Sequence, residues 1–379
     1  MAEFDYFEGR PQDARLEHRR RVNAQIHERF RIRDRNNPLS MSITEFVRLY
    51  RMPQDSFVQL CNIIRPHMPQ HTSPHQTPLI RKVLVTLSFL GCGTYQRMIG
   101  RSIDCSLSQT SVSRYIKEVI SALNHPAILT EFIRFPLTHE ERLPIILRQV
   151  FSKNEQMGMP RVLGFIDCFL KQLTNLPNNV EKQAFYSRKG YTALNCQIIC
   201  DADLQILNID ARFPGSCNDR YIWNASAAKQ VVQQAYWEDR CWLLGDSGYF
   251  TEPWLHIPLP HAPAGTPEYY YTRLHCFCRN TVERCVGVLK SRWRVLSSDR
   301  TIHYRDAEYA GRIINACSVL HNFCVRQRLP HFPPLQQNFA DEPAHLDEAL
   351  GPGELAQLGI AEMNNLIEYV NQHRVNYNV

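Results

Sequence analysis

Arg161-Val-Leu-Gly-Phe-Ile-Asp167-Cys168 is the stretch whose reading decides the fold. It is an apolar run of strand length that ends in a carboxylate. Val, Leu, Ile and Phe without polar alternation fit a strand buried on both faces. An Asp at the end of such a run is costly to bury unless a metal ion or a basic side chain meets it. Taken alone, Asp167 fits a solvated turn better than a ligand-binding site, so its neighbours in the chain must decide.

The pattern recurs downstream. Cys241-Trp-Leu-Leu-Gly-Asp246 is a second apolar run closed by an acid, and Gly245 and Gly248 beside it let backbone or ligand come close. Between the two runs, Ala193 to Asp201 and Leu204 to Arg212 read as strands joined by the tight Asp201-Ala-Asp203 link, a hairpin. Pro214-Gly215-Ser216 ends the later strand, and Asn218 to Gln234 reads as helix. Residues 279–297 are a strong helix candidate, with Val282, Val286, Leu289 and Trp293 recurring at helical spacing. Beside that stripe, Glu283, Gly287, Lys290 and Arg294 fall on one line. Arg305 to Arg326 is a further helix.

Three acids, Asp167, Asp246 and Glu283, thus stand at the ends or edges of buried elements. Phosphodiester cleavage by two divalent cations uses such a set. Mg²⁺ and Mn²⁺ prefer carboxylate oxygens, and two ions roughly 3.5–4 Å apart serve the attacking and leaving oxygens. A hairpin, a helical crossover, a further strand and an acid-bearing helix form the order of a ribonuclease-H-like α/β fold, a mixed sheet with flanking helices. Asp219 is a fourth candidate acid, although the helix dipole alone favours Asp at a helix start. Acids end strands in many α/β proteins, so spacing leaves metal-dependent nuclease as one reading among several.

The N-terminal half is helical. Residues 9–37 carry nine Arg, including Arg19-Arg20-Arg21. They suit a nuclear-import or phosphate-binding arm, or a solvated helix diluted by Asp13, Glu17, Glu28 and Asp34. Ser42-Ile-Thr-Glu45 is a capping box, and a helix follows from Gln54 to Ile64. Residues 79–124 read as three helices, Leu79 to Leu90, Thr94 to Gly100 and one opening at Ser108. In a helix-turn-helix, Arg114 and Lys117 of the last would face DNA; a plain helical bundle fits as well. Asn124 to Gln156 reads as a helical connector broken at Pro136 and Pro144. The expected division is a basic arm over 1–40, a helix-turn-helix-like region over 41–156, the α/β domain over 157–328 and a Pro-containing acidic tail over 329–379, with a short helix near Glu354–Val370.

Composition is that of a globular protein, 44% hydrophobic and 21% charged, with a net charge of +6 that permits an anionic partner. No apolar run approaches the ~18 residues of a membrane span, and no signal-peptide core opens the chain, so a membrane is not an expected partner. Thirteen cysteines scattered through apolar runs suit reduced, buried thiols. Cys276 and Cys278 beside His275 lack the spacing of a structural zinc site.

Set in order, several short motifs resemble the PIF/Harbinger transposases and the host nucleases derived from them. They are Gly164-Phe-Ile-Asp167-Cys168, Arg188-Lys-Gly190 with Leu194-Asn195, and Pro214-Gly-Ser216 with Asp219. Leu244-Gly-Asp-Ser-Gly-Tyr249, Val282-Glu283-Arg284 with Gly287, Leu289-Lys290, Arg292 and Trp293, and Val319-Leu-His-Asn322 complete them. The resemblance covers roughly Ser40 to Arg328. It implies a DDE-type, ribonuclease-H-like nuclease domain whose catalytic and metal-holding acids are Asp167, Asp246 and Glu283. It implies two divalent cations and a DNA substrate, whose phosphates Arg188, Lys189, Lys290 and Arg294 would contact. A Myb/SANT-like DNA-binding partner and a place in nucleus and cytoplasm are also implied. The chain departs from the family pattern at Phe169-Leu170, where Thr-His is usual, and at Val286, where Phe is common. A domesticated protein that binds DNA or docks its partner without cutting is the alternative.

Overall fold

The computed structural model describes residues 12–35, 37–70, 77–101, 107–150, 158–174, 176, 182–304, 306–333 and 353–373. The chain divides into two compact units, residues 1–119 and 120–379. In the first, α1 (Gln12–Arg35) is followed by α2 (Ile43–Tyr50), whose start is capped by the Ser42 hydroxyl accepting from the Glu45 N–H at 3.3 Å. α3 (Gln54–Ile64), α4 (Leu79–Cys92), α5 (Gln96–Arg101) and α6 (Gln109–Leu123) complete the helical region, α6 running across the division. One face of α4 is bound to α6 through a buried charge, the Lys82 ammonium donating to Glu118 at 2.6 Å. The Thr77 and Tyr115 hydroxyls meet nearby at 2.7 Å.

The second unit opens with α7 (Pro126–Phe132) and α8 (His139–Val150). Pro144 lies inside α8 and does not break it, contrary to expectation; the helix gives up one hydrogen bond at that site. Buried Arg142 ties α8 down by ion pairs to Glu238 and Asp239. The sheet follows: β1 (Val162–Gln172), β2 (Ala193–Cys200) and β3 (Ile206–Pro214), then α9 (Asp219–Ala225), α10 (Ala227–Asp239), β4 (Trp242–Leu244) and β5 (Leu255–His256). α11 (Pro267–Arg292), α12 (Ala307–Arg326) and α13 (Glu354–Gln372) complete the chain. The strand order is β3-β2-β1-β4-β5. β1–β2 and β2–β3 pair antiparallel, β1–β4 and β4–β5 parallel. This mixed five-stranded sheet with flanking helices is ribonuclease-H-like.

Four sequence expectations change in the structure. β1 does not stop at Asp167: its antiparallel pairing with β2 continues to Gln172 opposite Ala193, whereas parallel pairing with β4 ends at Phe165 opposite Leu244. The helix expected over 218–234 is two helices, because the Ser226 side chain caps a new start. β5 went unread, being two residues long. α11 begins at Pro267, capped by Thr266, and ends at Arg292.

β1 and β2 are buried nearly throughout, in keeping with a sheet covered on both faces. Leu163, Ile166, Leu243 and Leu255 of the sheet pack with Trp223, Val232 and Tyr236 from α9 and α10. On α12, fully buried Asn322 accepts from the Ile206 N–H at 2.8 Å and donates to the Ile206 and Phe132 carbonyls, both at 2.7 Å. Asn322→Ala should lower unfolding free energy in urea by about 2–4 kcal/mol, because one truncation leaves several buried backbone groups unpaired. A change below about 0.5 kcal/mol would show that the network holds little.

Candidate active site

The acids of the site are supplied by four separate elements. Asp167 projects from β1, where it is paired with Ile198 of β2. It lies two residues beyond the last β1–β4 pair. Asp246 lies two residues past β4, and its Oδ1 accepts from the Gly248 N–H at 3.0 Å. Asp219 opens α9, and its Oδ1 accepts from the Asn195 amide of β2 at 3.1 Å. A Cβ on Gly248 would lie 2.9 Å from Asp246 Oδ1 and 3.5 Å from Asp219 Oδ2, so these two carboxylates face one small space. Glu283 is carried by α11.

Arg279, one helical turn before Glu283, joins them. Its guanidinium reaches Glu283 Oε1 at 2.5 Å and Asp167 Oδ2 at 3.7 Å. It is also among the charges that favour ionised Asp246. The Asp167 carboxyl is nonetheless pushed up to about 7, by burial first and then by Asp246, with Arg279 opposing. Burial and Asp219 likewise raise Asp246. The floor beneath is formed by Cys168, whose Sγ lies 3.5 Å from the hydroxyl of buried Tyr249.

Basic groups stand around the acids. Residues 185–193 form a tight turn, with Tyr186 bridged to Thr192, and Gly190 at φ 80° reverses the chain. The turn holds Arg188 where its charge favours ionised Asp246, and Lys189 where its charge weighs on Lys290. The Lys290 ammonium sits 4.8 Å from the centre of the Phe169 ring and is pulled down to about 8, chiefly by burial. Phe169, standing where Thr is usual in the resembled family, is thus a buried platform for Lys290.

Not every expected residue joins this group. α11 ends before Arg294, which lies exposed on a separate 3₁₀ turn, so it leaves the line of Glu283, Gly287 and Lys290. Arg114 and Lys117 are exposed on α6, and Arg114 pairs with Glu118 at 3.8 Å. Asp219, Asp167 and Asp246 do come together. Arg279 is not among the residues the sequence points to, although its i,i+4 spacing to Glu283 on a helix is the available signal.

The site is chemically suited to hard cations, since its donors are carboxylates from four elements. Among the described residues, however, no three His, Cys, Asp or Glu side chains are gathered closely enough to hold an ion as they stand. The Arg279 guanidinium, paired with Asp167 and Glu283, places positive charge among these acids.

Residues 166–322 match the model of the DDE superfamily endonuclease family. The chain is 29% identical over 327 residues to human HARBI1, a protein named as a candidate nuclease, covering 84% of this chain and 88% of that one. Mouse HARBI1 is 32% identical over 244 residues, 64% of this chain and 66% of that protein. An ALP1-like protein of Arabidopsis thaliana is 23% identical over 300 residues, 74% of this chain and 70% of that one. No solved structure matches the chain. Sheet order and matched segment together define a DDE-type endonuclease domain on a ribonuclease-H-like fold. The chain belongs to the PIF/Harbinger transposase-derived nuclease family.

The acid cluster has a measurable stability signature. The Asp167 carboxyl ionises near 7 when folded against 3.8 for the unreacted group, so the native state holds more protons between these values. Stability of the metal-free protein should fall as pH rises from about 4 to 7 and remain reduced above. Asp167→Asn removes that cost. It should stabilise the protein by about 1–3 kcal/mol at pH 8 and by little at pH 4, read from melting curves at both values. Equal shifts at the two would place Asp167 outside a strained acid cluster.

Proposed function

We propose that this protein hydrolyses DNA phosphodiester bonds with two divalent cations, Mg²⁺ or Mn²⁺. The observation that carries this reading is that Asp246 and Asp219 face one small space, with Asp167 close enough to feel both charges and Glu283 tied to Asp167 through Arg279. Asp167, Asp246 and Glu283 would hold the cations, with Asp219 as an additional acid beside Asp246. Such cations supply positive charge for the phosphodiester and make water a better nucleophile at neutral pH.

The chain's own groups do the remaining work. Arg188, Lys189 and Lys290 ring the acids and bind phosphate oxygens, a salt-dependent and sequence-blind contribution. Arg294, off the end of α11, and the exposed Arg114 and Lys117 of α6 would hold flanking DNA. The Asn195 amide fixes the Asp219 carboxylate, and the Gly248 N–H fixes Asp246. Arg279 pairs with Asp167 and Glu283, and with a cation held by those acids its guanidinium would be available to phosphate. A Myb/SANT-like DNA-binding protein would supply target choice, and the place of action would be the nucleus, with a cytoplasmic pool.

One observation favours a second reading, a domesticated protein that binds DNA or a partner without cutting it. Phe169 and Leu170 offer neither the hydroxyl nor the imidazole usual after the first Asp, and Phe169 is buried beneath Lys290.

Nicking of supercoiled DNA tests the two. The wild type should cut only with Mg²⁺ or Mn²⁺, and Asp246→Asn or Glu283→Gln should lower the rate by about 10²-fold or more. Equal cutting by wild type and variants would sink the assignment; Mn²⁺ binding with no cutting by any form would favour the second reading. In calorimetry, Arg279→Met should bind Mn²⁺ about tenfold more tightly, because a competing internal cation is gone. Lys290→Ala should reduce the salt slope of DNA binding by about one.

A further inference from the structure

Gly287 lies inside α11, where a glycine weakens a helix relative to alanine. Packing does not demand it. Among the described residues nothing stands within 4 Å of the place a Cβ would take, and its φ is not in the left-handed region. The fold would accept a side chain there, so the helix presents bare backbone to whatever approaches from outside.

The surroundings of this bare point are charged on both sides. Glu283 precedes Gly287 by one turn and Lys290 follows it by one turn, on the same side of the helix. Lys290 is held over the Phe169 ring at 4.8 Å, two residues along β1 from Asp167. Lys189, at the tip of the 185–193 turn, lies close enough to Lys290 for their charges to repel. Cations beside open helix backbone, next to the acid cluster, complement an anionic strand far better than an apolar protein surface.

We infer that a DNA strand crosses α11 at Gly287, its sugar-phosphate backbone lying against the helix between Glu283 and Lys290. This rests on the nuclease reading above and adds the path of the substrate. A side chain at 287 would lift the strand off the helix and carry its phosphate away from Asp167 and Glu283. The bare position therefore trades helix stability for close approach.

The test uses the full chain with Gly287→Ala and Gly287→Leu, a labelled DNA duplex, and Ca²⁺ in place of Mg²⁺. Both variants should melt at or above the wild-type temperature and bind Mn²⁺ as the wild type does. Gly287→Leu should weaken DNA binding by about tenfold or more, and Gly287→Ala by less. If the leucine variant fails to fold, Gly287→Gln gives the same reading with a polar side chain. Wild-type DNA affinity in a folded, bulky variant would overturn the strand path alone. A wild type that neither binds nor cuts DNA would overturn the nuclease reading, and the path with it.

Discussion

The site depends on one electrostatic compromise, the Arg279 guanidinium set among carboxylates that burial pushes toward the protonated form. In a region of reduced solvent, Asp246 and Asp219 raise the cost of ionising Asp167, and Asp219 raises that of Asp246. Arg279 relieves this by pairing with Asp167 and Glu283. The relief is incomplete, since Asp167 remains far above an ordinary carboxyl. A binding site for multivalent cations has this character: a folded state that tolerates its own acids but is improved by more positive charge than it owns.

Strand pairing puts those acids together. β1 is shared between two partners of opposite sense, and its parallel partner β4 stops at Leu244 while its antiparallel partner β2 runs on. The step between the two leaves a notch at Asp167, and the chain leaving β4 turns there to present Asp246. α11 then brings its acid and Arg279 to the same notch. This junction of strand ends is where strand direction changes, the kind of place where ligand sites form in α/β sheets.

Much of this was legible in the residues. Asp167 and Asp246 stood out because acids after uninterrupted apolar runs are expensive, and Glu283 because it flanked a helical stripe of Val282, Val286, Leu289 and Trp293. Less legible was whatever depended on partners distant in sequence. β1 was read too short, because nothing local in Cys168-Phe-Leu-Lys-Gln172 announces that β2 continues beside it. β5 consists of two residues, too few for any periodicity. Arg294 was placed on α11 because the pattern of Trp293 and Arg294 continues the helix, yet the backbone leaves it at Arg292. Arg279 was overlooked because a helix-face cation ordinarily reads as solvated, and only the fold turns that face toward buried acids.

Asn322 has a consequence for the sheet as a whole. β3 ends the strand order, so among the described residues its outer side has no strand partner. At Ile206 the Asn322 amide accepts from the N–H and donates to the carbonyl, the same two bonds a neighbouring peptide would make. A side chain thus imitates one residue of a missing strand at the point where β3 begins. Open edges are where sheets recruit other chains, and proteins commonly block them. Here the block comes from a helix that packs against the strand, so the amide guards solubility as well as anchoring α12. A chain that lost it would expose an addressable edge, and its failure would be seen in self-association before it was seen in chemistry.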